Sequence, residues 1–194
     1  THGGAASHYQ AEDWQSVFDV NLAGVAHGVQ AVYRPMLTQG FGHIVNTASI
    51  AGLIPATSLV SYCASKHAVV GLSMALRCEA ASAGVRVSVL CPGFIRTPIF
   101  RGGVYGRQVQ EIPEPYAQRL WKRVCRMSPE QLAEKTLAAV RKNRAVIIYP
   151  WRWRLAWYLN RISPGLGRYA SRKVFESFQR QLAAEAEREQ QARD

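Results

Sequence analysis

Ser49-Ile50-Ala51-Gly52, followed by Tyr62-Cys63-Ala64-Ser65-Lys66, is the stretch from which the rest of the chain is best read. Tyr62 and Lys66 stand at i and i+4, which puts a phenol and an ammonium on one face of a helix. Ser49 lies thirteen residues before the tyrosine, at the end of an apolar run. In water a phenol loses its proton near about pH 10, too high for acid–base work at neutrality. A neighbouring ammonium favours the phenolate, and about 4 kcal/mol of such preference would bring the group near neutrality. The tyrosine could then exchange a proton with an alcohol or ketone oxygen, and the serine could hold that oxygen by a hydrogen bond. A Tyr-x-x-x-Lys pair is also what an ordinary amphipathic helix shows, so its surroundings decide.

Those surroundings alternate between strand and helix. Gly42 to Ser49 is a short apolar run bounded by glycine, which predicts a buried strand. Ser61 to Ser82 reads as a long helix with Ala68, Leu72, Ala75 and Leu76 on its packing face and Gly84 as its stop. Val85 to Leu90 is the next strand. Strand, helix and strand joined by one right-handed crossover make a parallel pair, hence an α/β fold. Upstream, Ala11-Glu12-Asp13-Trp14 opens a helix with acids in its first turn. Apolar residues from Trp14 through Val17, Val20 and Val25 to Leu37 keep helical spacing, and Pro35 and then Gly40 are expected to end it.

Downstream, Gly93 to Met127 reads as a long irregular loop, the kind that forms a lid or binding loop. Its Phe94, Ile99, Phe100, Val104, Tyr105 and Trp121 hint at an apolar pocket for a bulky substrate. Ser128-Pro129-Glu130-Gln131 carries an N-cap serine, a proline at the first helical position and a glutamine at N3. That helix should run to about Asn143, and Ala145 to Tyr149 is a third strand stopped by Pro150. The tail from Trp151 is aromatic and basic, then helical from about Pro164.

The constellation extends beyond the Tyr-Lys pair. Asn21 sits in Val20-Asn21-Leu22-Ala23-Gly24, inside a helix, where asparagine is a poor choice unless its side chain has a task. Cys91-Pro92-Gly93-Phe94-Ile95-Arg96-Thr97 closes the second strand. In this order and spacing, roughly residues 10 to 150 resemble the short-chain dehydrogenase/reductase family. The resemblance implies that Tyr62 donates or accepts the proton, that Ser49 polarises the carbonyl, and that Asn21 orders a relay water. It also implies that Lys66 tunes Tyr62 and hydrogen-bonds the nicotinamide ribose. Pro92, Gly93, Ile95 and Thr97 would pass the nicotinamide carboxamide of an NAD or NADP cofactor. The substrate would be a small carbonyl compound or secondary alcohol, and a homo-oligomer would form through the two long helices.

A doubly wound dinucleotide fold begins with a strand and a Gly-rich turn. The family's Gly-x-x-x-Gly-x-Gly and its later Asn-Asn-Ala-Gly are both absent from these residues. The resemblance therefore implies the C-terminal part of a Rossmann-like domain, about three parallel strands with flanking helices, over residues 1–150. Residues 151–194 would be a tail packed on or near the substrate side. Activity of such a piece alone is in question, and a non-catalytic binding or scaffold protein on the same fold is the rival reading.

Composition narrows the class further. The chain has 194 residues, 48% hydrophobic and 19% charged, which fits a globular domain. Cys63, Cys78, Cys91 and Cys125 show no metal-ligand spacing, nor do the five histidines. Scattered thiols suit a reducing compartment such as the cytoplasm. No apolar run approaches the roughly 18 residues of a membrane span. The net charge of +11 is lopsided: residues 1–100 contribute +1 and residues 101–194 contribute +10. Trp151-Arg152-Trp153-Arg154, with Trp157, Tyr158, Arg161, Arg168, Arg172 and Lys173, holds the aromatic part of that excess. It reads either as helices closing the substrate pocket, with arginines in solvent, or as a peripheral membrane contact. Nucleic acid binding is disfavoured, because no recognised motif accompanies the charge.

Overall fold

The structure is a computed structural model that describes residues 2–97, 125 and 127–191. Most of the loop expected over Gly93–Met127 lies outside the described residues, with Ile99, Phe100, Val104, Tyr105 and Trp121. Three parallel strands form one sheet in the order β1 (Gly42–Thr47), β2 (Val85–Pro92) and β3 (Val146–Tyr149). Gly42 pairs with Val85 and Thr47 with Leu90, and Val89 to Pro92 pair with Val146 to Tyr149. Val85, Val87, Val89 and Cys91 alternate inward along β2, while on β3 the successive Ile147 and Ile148 are both buried. That is the pattern of parallel strands covered on both faces.

The helices before β1 form one continuous rod with a defect. α1 (Ala11–Phe18) and α2 (Gly24–Gln39) are joined by a π-helical turn, Asp19–Ala23. A π turn inserts an extra residue and rotates the face that follows. Val20, expected inward, is accordingly 74% exposed. Val17, Leu22 and Val25 carry the packing instead. Pro35 does not end the rod. It sits inside α2, which runs on to the left-handed Gly40.

α3 (Val60–Ala80) follows β1 and packs across β2, then tightens into a 3₁₀ turn and stops at the left-handed Gly84. Its buried face differs from the one expected. Ser61, Ser65, Lys66, Val69, Ser73, Leu76 and Ala80 are buried, whereas Ala75 is exposed and Ala68 and Leu72 are only half-buried. Three serines hold positions where leucines would ordinarily go. Two of them cap their own polarity, Ser65 donating to the Tyr62 carbonyl at 2.8 Å and Ser73 to the Val69 carbonyl at 2.7 Å. Small side chains on that face let the helix lie close to the sheet. Arg77 then ties the end of α3 to the turn before β3, through the Val87 carbonyl and both oxygens of Asn143.

α4 (Pro129–Arg141) begins as the sequence predicts, with Ser128 and Gln131 forming a reciprocal capping box. The tail is helical earlier than expected. α5 (Trp151–Ile162) starts directly after Pro150, and α6 (Pro164–Gln191) follows. Trp153 and Trp157 pack against the core cluster of Ala48, Ile50, Val69, Val89, Cys91 and Ile148. Packing of two indoles on the core favours a helix here despite the neighbouring arginines.

Candidate active site

The C-terminal ends of β1 and β2, with the first turns of α3, bring the expected residues together. Past β1 the chain turns through a short 3₁₀ segment, Ile50–Gly52. Gly52 lies against the Lys66 carbonyl, where a Cβ would stand only 2.5 Å away, so this approach needs glycine. The close contact sets Ser49 beside the first turns of α3. The Ser49 hydroxyl accepts from the Ala51 amide at 3.2 Å, and it lies near enough to the Tyr62 phenol to favour its charged form. Because its oxygen already accepts from a backbone amide, its own proton is available to the tyrosine oxygen.

Lys66 is buried, with Nζ 5.6 Å from the centre of the Tyr62 ring. Nζ donates to the Thr47 carbonyl at the end of β1, at 3.0 Å. Burial depresses the Lys66 ammonium below its ordinary range, with Cys91 pulling weakly the other way. The expectation that Lys66 brings the Tyr62 phenol down is not met. Burial raises Tyr62 above its ordinary value, and the nearby Ser49 hydroxyl only partly offsets this. The reason is geometric. The ammonium donates to a carbonyl of β1, and loss of water around the phenol outweighs what favours its charged form. Cys91, at the end of β2, adjoins both groups, and its own thiol is pushed by burial to about 12, so it is neutral and inert at physiological pH.

Asn21 projects from the π-helical turn and donates from Nδ2 to the Ser65 hydroxyl at 3.2 Å. Ser65 in turn donates to the Tyr62 carbonyl. The defect in the first rod is thereby bonded to the turn that carries the tyrosine, in keeping with the frequent occurrence of π turns at functional sites. Ser65 was not singled out in the sequence. The recurrence of serine at 61, 65 and 73 on one helical face was the signal available.

At the end of β2, Pro92 closes the ladder and the Gly93 amide donates to the Tyr149 carbonyl at 2.8 Å. Ile95 is buried and bridges Met127, and the Thr97 amide donates back to the Ile95 carbonyl at 2.8 Å. Thr97 itself is exposed. These residues lie beyond the carboxyl ends of the strands, where doubly wound sheets bind ligands. The donor set fits the nicotinamide end of a dinucleotide, with an ammonium and a phenol on one helical turn and a hydroxyl on the neighbouring strand exit.

Trp153 is a second residue whose role the sequence did not reveal. Its ring lies over Gly93 and edge-on to Phe94, with centroids 5.5 Å apart. A groove of about 390 Å³ runs along the outer side of α3, lined by Pro55, Ala56, Thr57, Val60, Cys63, Ala64 and His67. Neither Tyr62 nor Lys66 lines it. There the His67 Nδ1 lies 2.9 Å from the Cys63 carbonyl and 3.7 Å from its sulfur. Among the described residues no group of His, Cys, Asp or Glu could hold a metal ion.

Comparison with known proteins agrees with this geometry. Residues 1–104 match the family model for short chain dehydrogenases. The chain belongs to the short-chain dehydrogenase/reductase family. A 3-alpha-(or 20-beta)-hydroxysteroid dehydrogenase of Mycobacterium tuberculosis is 40% identical over 96 residues, half of this chain and 37% of that protein. A cyclohexanol dehydrogenase of Acinetobacter sp. is 44% identical over 88 residues, 45% of this chain and 35% of that protein. A short chain dehydrogenase/reductase from Burkholderia phymatum, solved with NAD, superposes with a TM-score of 0.70 at 35% identity, covering 84% of this chain and 63% of its own. A short-chain dehydrogenase from Sphingobium yanoikuyae, solved with NADPH, gives 0.64 at 26% identity, covering 86% and 60%. The chain thus spans less than two thirds of the length of each of these relatives.

Proposed function

We propose that this chain carries the proton-transfer centre of an NAD(P)-dependent oxidoreductase that interconverts a carbonyl and a secondary alcohol on a hydrophobic substrate. The observation that carries this reading is the convergence of Ser49, Tyr62 and Lys66, with Asn21 bonded through Ser65 to the same helical turn. A bound nicotinamide supplies or accepts the hydride. Ser49 holds the substrate oxygen and Tyr62 gives or takes its proton. With its phenol raised by burial, Tyr62 enters the cycle protonated, ready to act as the acid for carbonyl reduction. Lys66 turns from the Thr47 carbonyl towards the cofactor ribose, and Asn21 orders the water that resupplies the proton. Pro92, Gly93, Ile95 and Thr97 line the carboxamide.

Hydroxysteroid and cyclohexanol dehydrogenases among the relatives favour an apolar ring alcohol or ketone as substrate. Residues 1–150 then form the catalytic unit and 151–194 its substrate-side tail, a division supported by Trp153 against Gly93 and Phe94. A homo-oligomer through α2 and α3 is part of the reading, since none of the 16 residues of α2 is buried. The four free thiols suit the cytoplasm.

The test is Tyr62→Phe in the full-length protein. Turnover of a cyclic alcohol should fall by about a hundredfold or more, while NADH or NADPH affinity stays within a few-fold. Turnover that survives the change would refute the role of Tyr62.

A further inference from the structure

α5 has two apolar faces, and only one is used. The inner face places Trp153 and Trp157 against the core. On the outer face Trp151, Leu155, Tyr158, Leu159 and Ile162 are all exposed, Leu159 at 58% and Ile162 at 82%. At 3.6 residues per turn these five side chains fall within an arc of about 100°. Arg152 borders the stripe on one side and Arg154 and Arg161 on the other. Leu166, at the start of α6, is also exposed, and beyond it Arg172 and Lys173 both lie 5.7 Å from the Tyr169 ring.

We infer that this outer face docks on the surface of an anionic lipid bilayer. Between Pro150 and Glu176 there are six Lys or Arg residues and no carboxylate. A second copy of the same face would bring two such charges together, so self-association through it is opposed. A bilayer meets both halves of the pattern, its acyl boundary taking the apolar stripe and its headgroups the flanking guanidinium groups. Trp151 and Tyr158 suit the headgroup level, where amphipathic rings settle. The helix lies in the interface and does not cross it: among the described residues no helix is long and apolar enough to span a membrane.

Sedimentation of the full-length protein with sucrose-loaded vesicles tests this. Mixed phosphatidylglycerol and phosphatidylcholine vesicles should carry the protein down, vesicles of phosphatidylcholine alone should not, and rising salt should release it. Leu159→Glu with Ile162→Glu should lower partitioning at least about tenfold, and Arg152→Gln with Arg168→Gln should do so by a similar factor. All four side chains are exposed, so circular dichroism and the melting temperature should be unchanged; should the glutamate pair misfold, the glutamine pair carries the test. Wild-type protein that stays with the supernatant, or a folded glutamate pair that sediments like wild type, overturns the inference. So does light scattering that finds a dimer broken by the glutamate pair without vesicle binding, because a second copy would then cover the face. Equal retention on DNA that depends on the arginines alone would assign the charge to a general polyanion site and overturn it too.

Discussion

Gly93 lies beneath the indole of Trp153 so closely that a methyl group on its Cα would stand 2.1 Å from the ring. The tail and the exit of β2 are therefore fitted to each other at a single point. Gly93→Ala should displace Trp153, shift its fluorescence and cost about 1–3 kcal/mol in a urea melt. Trp153→Leu in the same chain should recover part of that loss, because the smaller side chain leaves room for the methyl. Equal stability of Gly93→Ala and wild type would show that the contact is not a constraint.

A second relationship lies deeper. Asn46, facing inward from β1, donates from Nδ2 to the Ser73 hydroxyl at 3.0 Å, and Ser73 passes its own proton to the Val69 carbonyl. Ser73→Ala removes the acceptor while the amide stays buried, which should cost about 1–3 kcal/mol. Asn46→Val combined with Ser73→Ala should cost less than the two single changes added together. Additive losses in chemical denaturation would mean that the two side chains are not coupled.

The Tyr62 phenol gives a prediction in pH. Its folded value lies above the ordinary 10.0, chiefly through burial, so the folded state holds this proton more tightly than the unfolded chain does. The associated stability is fully present below the unfolded value and is lost as pH climbs through the folded one. Wild type should therefore lose more stability than Tyr62→Phe between neutral and strongly alkaline pH. Ser49→Ala removes a nearby hydroxyl that favours the phenolate, so it should push the titration higher still. Ultraviolet difference spectra report the ionisation directly, and a Ser49→Ala titration at lower pH than wild type would contradict the assignment.

Cysteine chemistry separates the two sides of α3. Burial alone would raise Cys63, but hydrogen bonding from His67 and the Ala56 backbone outweighs it and holds the thiol below its ordinary value. Cys91 is raised by burial to about 12, the Ser49 backbone and the Lys66 charge offsetting only part of it. Iodoacetamide at neutral pH should label Cys63 and leave Cys91 untouched in the folded protein, as read by peptide mass spectrometry. His67→Ala should slow Cys63 labelling several-fold. Faster labelling at Cys91 would reverse the picture.

Much of this arrangement was legible in the residues because local signals and tertiary demands agree. The Ser128–Gln131 cap, the glycine stop at Gly84 and the parallel strands at 42–49, 85–90 and 145–149 all follow from short-range rules that packing does not oppose. The Tyr62–Lys66 spacing places both groups on one helical turn for the same reason. What escaped depends on distant partners. The π turn at Asp19–Ala23 has no local signature, and Pro35 stays inside α2, where the neighbouring Tyr33 and Met36 pack against the core. The serine-rich face of α3 contradicts hydrophobic periodicity, since what matters there is small volume, with Ser65 and Ser73 bonded to their own helix. The direction of the Tyr62 shift needed knowledge of how far the phenol is shielded from water, which spacing alone does not contain.

The helix that bears Tyr62 and Lys66 has a further bearing on how such a protein can diversify. Both groups ride one rigid turn, and Ser49 is set against it by the tight approach of Gly52 to the Lys66 carbonyl. Their mutual spacing is dictated by helical pitch and by one close backbone contact from the short turn after β1. Segments that shape the rim can then drift, lengthen or exchange aromatic residues without disturbing the spacing of these three side chains.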